Sequence, residues 1–241
     1  QKEQFWQAGD KVVVATSTGV DSMVLLWLLT HLPKKQRPHV VVAHVNHELR
    51  AQSTAEEKYL TQFCRLHAIP LRIQHWPKAS HPETGVEAAA RQFRYAFFDQ
   101  VMRTESAHYL VTAHHGDDQL ETLLMKLVRS GELHEMRGIR QVRPFKTGTL
   151  IRPLLPFSKQ QLRDYADQIG LRYYEDQTNQ EQTVLRNRMR HAVVPLLKRE
   201  NPHLIQNANR FSQSLTQMVA HQDDLTAALL PLLAIKKQPA A

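Results

Sequence analysis

The sequence predicts an α/β fold, in which a parallel five-stranded sheet has helices on both faces and is followed by a small helical appendage. Three observations predict this class. Short runs rich in β-branched residues alternate with helical patterns as far as Gly170. These runs are apolar almost throughout, which is typical of parallel strands that are covered on both faces. From Leu185 onward only a helical pattern continues.

The individual elements follow from local signals along the chain. Strands are predicted over residues 11–15, 39–45, 71–75, 109–113 and 150–154. Helices are predicted over residues 21–32, 54–67, 85–103, 117–128 and 158–169, and then from 185 to 233 with breaks at Pro195, Pro202 and Pro231. Ser158 is a favourable helix cap, and Gly170 is a favourable helix end. Residues 130–148 lack periodicity and are expected to form an irregular loop.

The composition limits the class of protein. The 241 residues carry a net charge of +8 and a pI of about 9.7, which favours a polyanionic partner such as nucleic acid. The single Cys64 excludes an internal disulfide framework and a cysteine-built metal site, and it fits a reducing cytosol. No apolar run approaches the roughly 20 residues of a membrane span, and no signal peptide is visible. We therefore expect a cytoplasmic protein that does not enter a membrane.

The segment around which the chain is organised joins the first strand to the first helix. Free backbone N–H groups and the helix dipole make such a turn a favourable anion site. It has neither the lysine of the common phosphate loop nor the three spaced glycines of the dinucleotide fingerprint. An acidic residue inside it, Asp21, indicates Mg²⁺ that arrives with the phosphates; the alternative is an ordinary capped turn. The predicted nucleotide-binding residues are Ser17, Thr18, Gly19, Val20, Asp21 and Ser22.

A second polar cluster, at residues 113–122, again follows a strand and opens a helix. Asp118 and Glu121 are three residues apart and share a helix face, where they could hold Mg²⁺ or accept a proton from an amine. The alternative is an acidic helix start that complements the helix dipole. Because the carboxyl ends of parallel strands meet at one edge of a sheet, we expect these two carboxylates to lie close to the predicted phosphate-binding turn.

Other polar residues are candidates for the same cleft. His44 and Asn46 end the second strand and are expected to contact a nucleotide base or ribose; the alternative of a metal-binding His44–His47 pair is less favoured. Arg91 and Arg94 share one helix face and suit phosphate oxygens, unless they are simply a solvated charged stripe. Further arginines are concentrated in residues 129–152 and 186–199.

Seven motifs together resemble a known family. The turn STGVDS resembles the pyrophosphate loop of the N-type ATP pyrophosphatases, the adenine nucleotide alpha hydrolase-like proteins. Within that superfamily, the ordered set is similar to tRNA(Ile)-lysidine synthetases. The set comprises HVNHELR at 44–50, ARQFRYAFF at 90–98, TAHHGDDQLET at 112–122, RPLLPF at 152–157, EDQTN at 175–179 and RNRMR at 186–190.

The resemblance implies a two-step ligation. ATP adenylates the C2 oxygen of the wobble cytidine of a tRNA(Ile) with a CAU anticodon, and the ε-amine of L-lysine then displaces AMP. It implies catalytic roles for Asp21, Asp118, Glu121 and Arg190, with Mg²⁺ on Asp21 and Asp118. Arg91, Arg94 and Arg186 would contact ATP phosphates or RNA, and recognition of a flipped single-stranded base is expected.

The resemblance also implies a division into domains, and the sequence departs from the family's pattern in two respects, at Thr18 and in its C-terminal extent. Residues 1–195 are expected to form the N-type ATP pyrophosphatase catalytic domain, and residues 196–241 a helical extension toward C-terminal tRNA-binding domains that this chain lacks. Thr18 stands where the family has glycine, so a positive φ there would be costly. The sequence leaves the oligomeric state open, with a homodimer as one candidate.

Three rival functions remain. A tRNA thiolase of the same superfamily typically uses a cysteine pair or an iron–sulfur cluster, which the lone Cys64 disfavours. A small-molecule amidating synthetase, such as an NAD or GMP synthetase, would leave the basic clusters without a purpose. A non-catalytic RNA-binding module would not need the carboxylates at 21, 118 and 121.

Overall fold

The computed structural model describes residues 5–48, 53–175 and 185–233. These residues fall into two compact units. We call the first, formed within residues 1–116 and 141–180, the sheet unit. The second, formed within residues 117–140 and 181–241, is the helical unit. The functional division after residue 195 stays a prediction.

The sheet unit is built on one twisted sheet in the order β3-β2-β1-β4-β6-β5. Its strands pair in parallel except for β5, which is antiparallel to β6. The predicted α/β class with a mostly parallel sheet is confirmed, although the sheet has six strands where five were expected. The strands are β1 (Lys11–Ala15), β2 (His39–Asn46), β3 (Leu71–His75), β4 (Tyr109–Val111), β5 (Val142–Phe145) and β6 (Gly148–Ile151).

The additional strand lies where we expected an irregular loop. β5 forms a hairpin with β6, and Lys146 in the turn adopts φ +52°. The expectation was wrong because β5 has neither an apolar run nor alternation, and it includes Pro144. As an edge strand it tolerates proline, since an outward-facing N–H is not needed for pairing.

The helices predicted from the sequence begin and end within a few residues of their expected limits, and one short helix, Leu133–Met136, lies in the expected loop. In chain order they are α1 (Val20–His31), α2 (Ser53–Leu66), α3 (Val86–Thr104), α4 (Gly116–Arg129), α5 (Leu133–Met136), α6 (Lys159–Gln168), α7 (Leu185–Arg188), α8 (Val194–Glu200) and α9 (Leu204–Leu233). A 3₁₀ turn covers Lys78–Ser80, and a π-helical turn, Met189–Val193, joins α7 to α8. None of the described helices combines the length and the apolar content of a membrane span.

Two apolar cores cover the two faces of the sheet. Val12 and Val14 of β1 pack with α1, α2 and α6 on one face, while Val13 packs with α3 on the other. This follows from the two-residue period of a strand, which sends successive side chains to opposite faces. Ser158 caps α6 with a capping box, and Gly170 ends it in the left-handed region at φ +64°, both as predicted.

The helical unit packs α4 against the chain after residue 184. Its small core contains Leu120, Leu123, Val194 and Ala208. The helical run is interrupted at Pro202, between α8 and α9, as predicted. The expected breaks at Pro195 and Pro231 were wrong. Pro195 lies in the first turn of α8, where its missing N–H costs nothing, and α9 continues through residue 231.

Candidate active site

The loop between β1 and α1 is held by the hydroxyl of Ser22. Its Oγ accepts a hydrogen bond from the Ser17 N–H at 3.1 Å and donates to the Gly19 carbonyl at 2.9 Å. The Ser17 and Ser22 hydroxyls lie 3.3 Å apart. Because Ser22 is buried while Ser17 is exposed, Ser22 shapes the turn and Ser17 presents its hydroxyl to the outside. The predicted phosphate loop is therefore a small hydrogen-bonded turn.

Thr18 adopts the left-handed conformation, with φ +61°. A β-branched residue in this region is a rare and strained case, with a typical cost of about 1–3 kcal/mol. Its side chain is buried at 1% exposure, and its carbonyl accepts the Tyr174 N–H at 3.0 Å. The loop thus keeps the backbone path of a glycine position and accepts the strain that the sequence predicted there.

Gly19 precedes the first turn of α1, and no side chain caps the helix at this point. Its φ of −66° is an ordinary value, so the backbone does not require glycine. Among the described residues, a Cβ added here would meet the Ser17 Oγ at 3.5 Å, which is a normal contact. Glycine therefore keeps space open in front of the helix N-terminus, where the N–H groups and the helix dipole favour an anion.

Asp21 lies in the first turn of α1 beside two basic groups. Its Oδ2 is 3.4 Å from the Lys159 Nζ and 3.5 Å from the His115 Nε2. His115 is buried, and Lys159 is the first residue of α6. The loop consequently has an ammonium group nearby although its own sequence contains no lysine.

His44 and Asn46 are both buried at the carboxyl end of β2. The His44 Nδ1 donates to the Thr16 carbonyl at 2.8 Å, and burial lowers the pKa of this imidazole. The Asn46 amide donates to Glu57 at 2.7 Å and accepts the Glu48 N–H at 2.9 Å. The polar groups of Asn46 thus hold the strand end, whereas His44 shapes the start of the loop through Thr16.

The predicted arginine pair on α3 divides into two environments. Arg91 is exposed and its guanidinium lies 4.8 Å from the centre of the Tyr95 ring. Arg94 is half-buried, and burial lowers its pKa. His47 is also half-buried, and its pKa is lowered to about 4, first by burial and then by the charge of Arg94.

In the helical unit, Asp118 and Glu121 of α4 share the same basic partners. The Nε of Arg186 lies 2.8 Å from Glu121 Oε2, and its Nη2 lies 2.7 Å from Asp118 Oδ1. The Nε of Arg190 lies 2.6 Å from Glu121 Oε1. Glu121 is 1% exposed, so both carboxylate oxygens are neutralised inside the protein. The predicted common face of the two acids is confirmed.

Asp117 has a different partner on the same turn of α4. It pairs with Lys198 of α8. Its side chain is 13% exposed, which equals the value for Asp118. The two adjacent aspartates are therefore matched in burial but differ in role, because Asp117 ties α4 to α8 while Asp118 joins the Arg186–Arg190 group.

No group of three or more His, Cys, Asp or Glu side chains that could hold a metal ion occurs among the described residues. The candidate ligands Asp21 and Asp118 belong to different units. Either carboxylate alone could serve Mg²⁺ of the kind that takes one or two protein ligands and completes its shell with substrate phosphates and water, and the shared site stays a prediction. The predicted closeness of the loop to the two carboxylates stays a prediction, as does the assignment of each site residue.

Several residues of these sites carried no local signal in the sequence. Lys159 meets Asp21 across 138 residues of chain, and nothing in its own neighbourhood marks it. Gln119 is buried at 1% exposure, and its Oε1 accepts the Ile139 N–H at 2.6 Å, which fixes the loop after α5. Of the motif EDQTN, the residues 176–179 lie outside the described part of the chain.

Residues 1–197 match the ATP-binding family model described as a PP-loop domain. The chain belongs to the PP-loop domain family. The resemblance found in the seven motifs is confirmed, whereas the assignment of the STGVDS turn as the phosphate loop stays a prediction.

Curated relatives of this PP-loop domain are tRNA(Ile)-lysidine synthases. The enzyme of Lactiplantibacillus plantarum is 52% identical over 219 residues, which cover 91% of this chain and 49% of the relative. That of Enterococcus faecalis is 46% identical, over 90% of this chain and 48% of the relative. This chain therefore spans about half the length of the curated relatives it matches.

A solved structure shows the same fold at low identity. The U34-tRNA thiolase NcsA from Methanococcus maripaludis, solved with its 4Fe-4S cluster, aligns with a TM-score of 0.72 and 18% identity. The alignment covers 87% of this PP-loop domain and 73% of the thiolase chain. At this identity the likeness establishes the fold alone.

Proposed function

We propose that this PP-loop domain belongs to a tRNA(Ile)-lysidine synthase and carries its ATP-dependent ligation of lysine to the wobble cytidine of a CAU-anticodon tRNA(Ile). The observation that carries the proposal is the 52% identity to a lysidine synthase over 91% of the chain. The open, hydrogen-bonded turn at the N-terminus of α1 supports the ATP step, because it offers backbone N–H groups to a phosphate tail.

The reaction divides into two displacements. In the first, the C2 oxygen of the cytidine attacks the α-phosphorus of ATP and pyrophosphate leaves. In the second, the ε-amine of lysine attacks C2, the carbon–oxygen bond breaks with release of AMP, and the amine loses a proton to a base. The products are lysidine in the RNA, AMP and pyrophosphate.

The residues of the sheet unit have binding roles in this proposal. The backbone N–H of Val20 and the hydroxyl of Ser17 hold phosphate oxygens, while the Gly19 N–H closes the turn on the Ser17 carbonyl at 2.8 Å. Lys159 adds a positive charge beside them, at 3.4 Å from Asp21. Mg²⁺ held by Asp21 would neutralise phosphate charge.

The residues of the helical unit have roles in the second step. A carboxylate that already forms ion pairs with Arg186 or Arg190 can still accept a hydrogen bond from lysine if lysine can reach it. Asp118 is the better candidate for this contact, since it is 13% exposed while Glu121 is 1% exposed. We therefore assign lysine binding and proton transfer to Asp118, and the positioning of both arginines to Glu121.

The rival functions have less support. Burial raises the pKa of the Cys64 thiol to about 12, so the one cysteine of the chain is not a reactive thiolate at neutral pH. This observation disfavours the tRNA thiolase alternative. A non-catalytic RNA-binding module would not need a buried carboxylate such as Glu121 between two arginines.

The test is lysine incorporation into RNA. With radiolabelled lysine, ATP and Mg²⁺, we expect label in a tRNA(Ile) transcript with cytidine at the wobble position and none in a transcript with uridine there. Equal labelling of the two transcripts, or no labelling of either, contradicts the proposed function.

Adjacent aspartates give a matched pair of variants for this assay. We expect Asp118→Asn to lower lysine incorporation at least 100-fold, because the lost carboxylate contacts the amine. Asp117→Asn removes the pair with Lys198 and should lower the melting temperature while retaining incorporation within about threefold. If the two variants lose incorporation equally, the role assigned to Asp118 is wrong.

A further inference from the structure

A group of arginines surrounds Tyr95 in the sheet unit, on the face of the sheet that α3 covers. Arg91 lies over the Tyr95 ring at 4.8 Å, and Arg152 donates a hydrogen bond to the Tyr95 hydroxyl. Arg143 lies 5.9 Å from the centre of the Phe145 ring, which is itself 5.6 Å from that of Tyr95. We call these five residues the tyrosine-centred arginine cluster.

The strand register explains why the cluster forms. Arg143 of β5 pairs with Leu150 of β6, and directly paired residues point to the same face of a sheet. Arg152 lies two residues beyond Leu150 and therefore points to this face as well. Leu150 packs in the α3 core, so both guanidiniums arrive beside the first half of α3.

The cluster concentrates positive charge around a buried guanidinium. Arg152 is buried at 4% exposure, and its pKa is lowered to about 10, first by burial and then by the charge of Arg143, with a smaller contribution from Arg91. It remains protonated at neutral pH. Guanidiniums gathered in one place create a positive potential that attracts a polyanion.

The position of the cluster in the sheet separates it from the phosphate loop. The loop follows β1, whereas Arg152 follows β6, two strands away, and Arg143 is on β5, three strands away. At about 4.8 Å between neighbouring strands, these offsets are ~10 and ~14 Å. The cluster is therefore offset from the loop along the sheet by the width of two to three strands.

We propose that the tyrosine-centred arginine cluster binds the phosphodiester backbone of the RNA substrate, with Arg143 and Arg152 contacting phosphates and Tyr95 positioning Arg91 and Arg152. This inference rests on the proposed function for the identity of the RNA. Guanidinium groups suit phosphate oxygens, and such contacts position an RNA without reading its sequence. The cluster is therefore a site for the strand that carries the target base.

The test is RNA binding by the 241-residue chain as a function of salt. The probe is an anticodon stem-loop with cytidine or uridine at the wobble position. We expect Arg143→Gln and Arg152→Gln each to weaken binding about tenfold at ~0.1 M salt and to reduce the slope of log K against log salt by about one. The loss should be equal for both probes.

Two further variants sharpen the assignment. Tyr95→Phe keeps the ring beneath Arg91 but removes the hydrogen bond to Arg152, so we expect a smaller loss of about threefold. Arg103→Gln, on the same helix and paired with Asp99 at 66% exposure, should leave RNA binding within twofold. ATP affinity, measured by calorimetry, should stay within twofold of wild type in every variant.

Two results overturn the inference. In one, the Arg143 and Arg152 variants bind RNA as the Arg103 control does; in the other, they lose ATP affinity instead of RNA affinity. Arg143 is half-buried on an edge strand, so its variant carries the test if Arg152→Gln fails to fold. A wild-type chain that binds RNA through the cluster but incorporates no lysine would contradict the proposed function alone.

Discussion

The predicted phosphate loop of the sheet unit and the paired carboxylates of the helical unit, Asp118 and Glu121, are stabilised in opposite ways. The loop is held by hydrogen bonds from Ser22 and the backbone, and Gly19 leaves space in front of its helix. The carboxylates of Asp118 and Glu121 are instead neutralised by Arg186 and Arg190. The loop thus leaves open space at a helix N-terminus, whereas the two carboxylates already carry bound positive charge.

The largest expected effect comes from a substitution that removes one of the paired carboxylates. Replacing Glu121 by Gln leaves two arginines around a buried amide, and we expect a loss of about 2–3 kcal/mol in the free energy of unfolding. This figure is below that of a fully buried pair because the arginines are 34% and 24% exposed. Urea unfolding measures it.

The control for this variant lies in the same unit. Glu135→Gln removes a carboxylate that pairs with Lys126 but is 47% exposed. We expect its urea midpoint to stay at the wild-type value. Equal destabilisation by the two variants would show that burial of Glu121 does not set the stability of the group.

The next largest effect comes from a substitution that fills the open space in the loop. Gly19→Ala adds a methyl group that meets only an ordinary contact with Ser17 among the described residues, so the melting temperature should change little. If the phosphate tail binds in front of this helix as proposed, the methyl group crowds it, and we expect ATP affinity to fall about tenfold, or ~1.4 kcal/mol. Calorimetry measures this, and an unchanged affinity would mean that the phosphate tail binds elsewhere.

A smaller effect concerns pH. Burial and Arg94 lower the pKa of His47 to about 4, from 6.5. The unfolded chain therefore binds a proton between these pH values that the folded chain does not, and stability falls as the pH drops from about 6.5 to 4. We expect His47→Gln to reduce this loss by ~1 kcal/mol, a figure discounted for partial exposure.

The measurement for His47 is the urea midpoint at pH 7 and at pH 4.5. The neighbouring His44, whose pKa burial also lowers, retains its own acid sensitivity in the variant. His108→Gln is a matched control, since His108 is exposed. A His47 variant with the acid sensitivity of wild type would remove His47 from this account.

The smallest effect concerns strain in the loop. Thr18→Gly relieves the β-branched residue at φ +61°, and the gain exceeds the entropic cost of glycine by about 0.5–1 kcal/mol. Thr18→Ala retains a Cβ at the same φ and should not stabilise the protein. Thermal unfolding of the two variants separates strain from packing, and equal melting temperatures would mean that Thr18 is not strained.

The sequence was sufficient for those parts of the molecule that depend on local patterns. β1 and β3 were placed to the residue, β1 because a β-branched run marks it and β3 because Leu71 and Ile73 alternate with polar residues. The loop from Ser17 to Ser22 was also predicted, since strand, small polar turn and helix follow one another directly. Asp118 and Glu121 share partners as their three-residue spacing predicted.

The remaining features depend on contacts distant in sequence. β5 becomes a strand because β6 provides its partner, not because Arg143 or Pro144 favours one. Lys159 reaches Asp21 only because α6 packs against α1. The basic nature of residues 129–152 was evident, but the pairing of Arg152 with Tyr95 required the sheet register.

The central claim is that the chain activates RNA with ATP for attack by lysine, and one measurement tests it most directly. The chain is mixed with ATP radiolabelled on its α-phosphate and a CAU-anticodon tRNA(Ile) transcript, without lysine. We predict that label appears on the RNA and is released as AMP when lysine is added. RNA that never takes up label, or label that lysine fails to release, would contradict the claim.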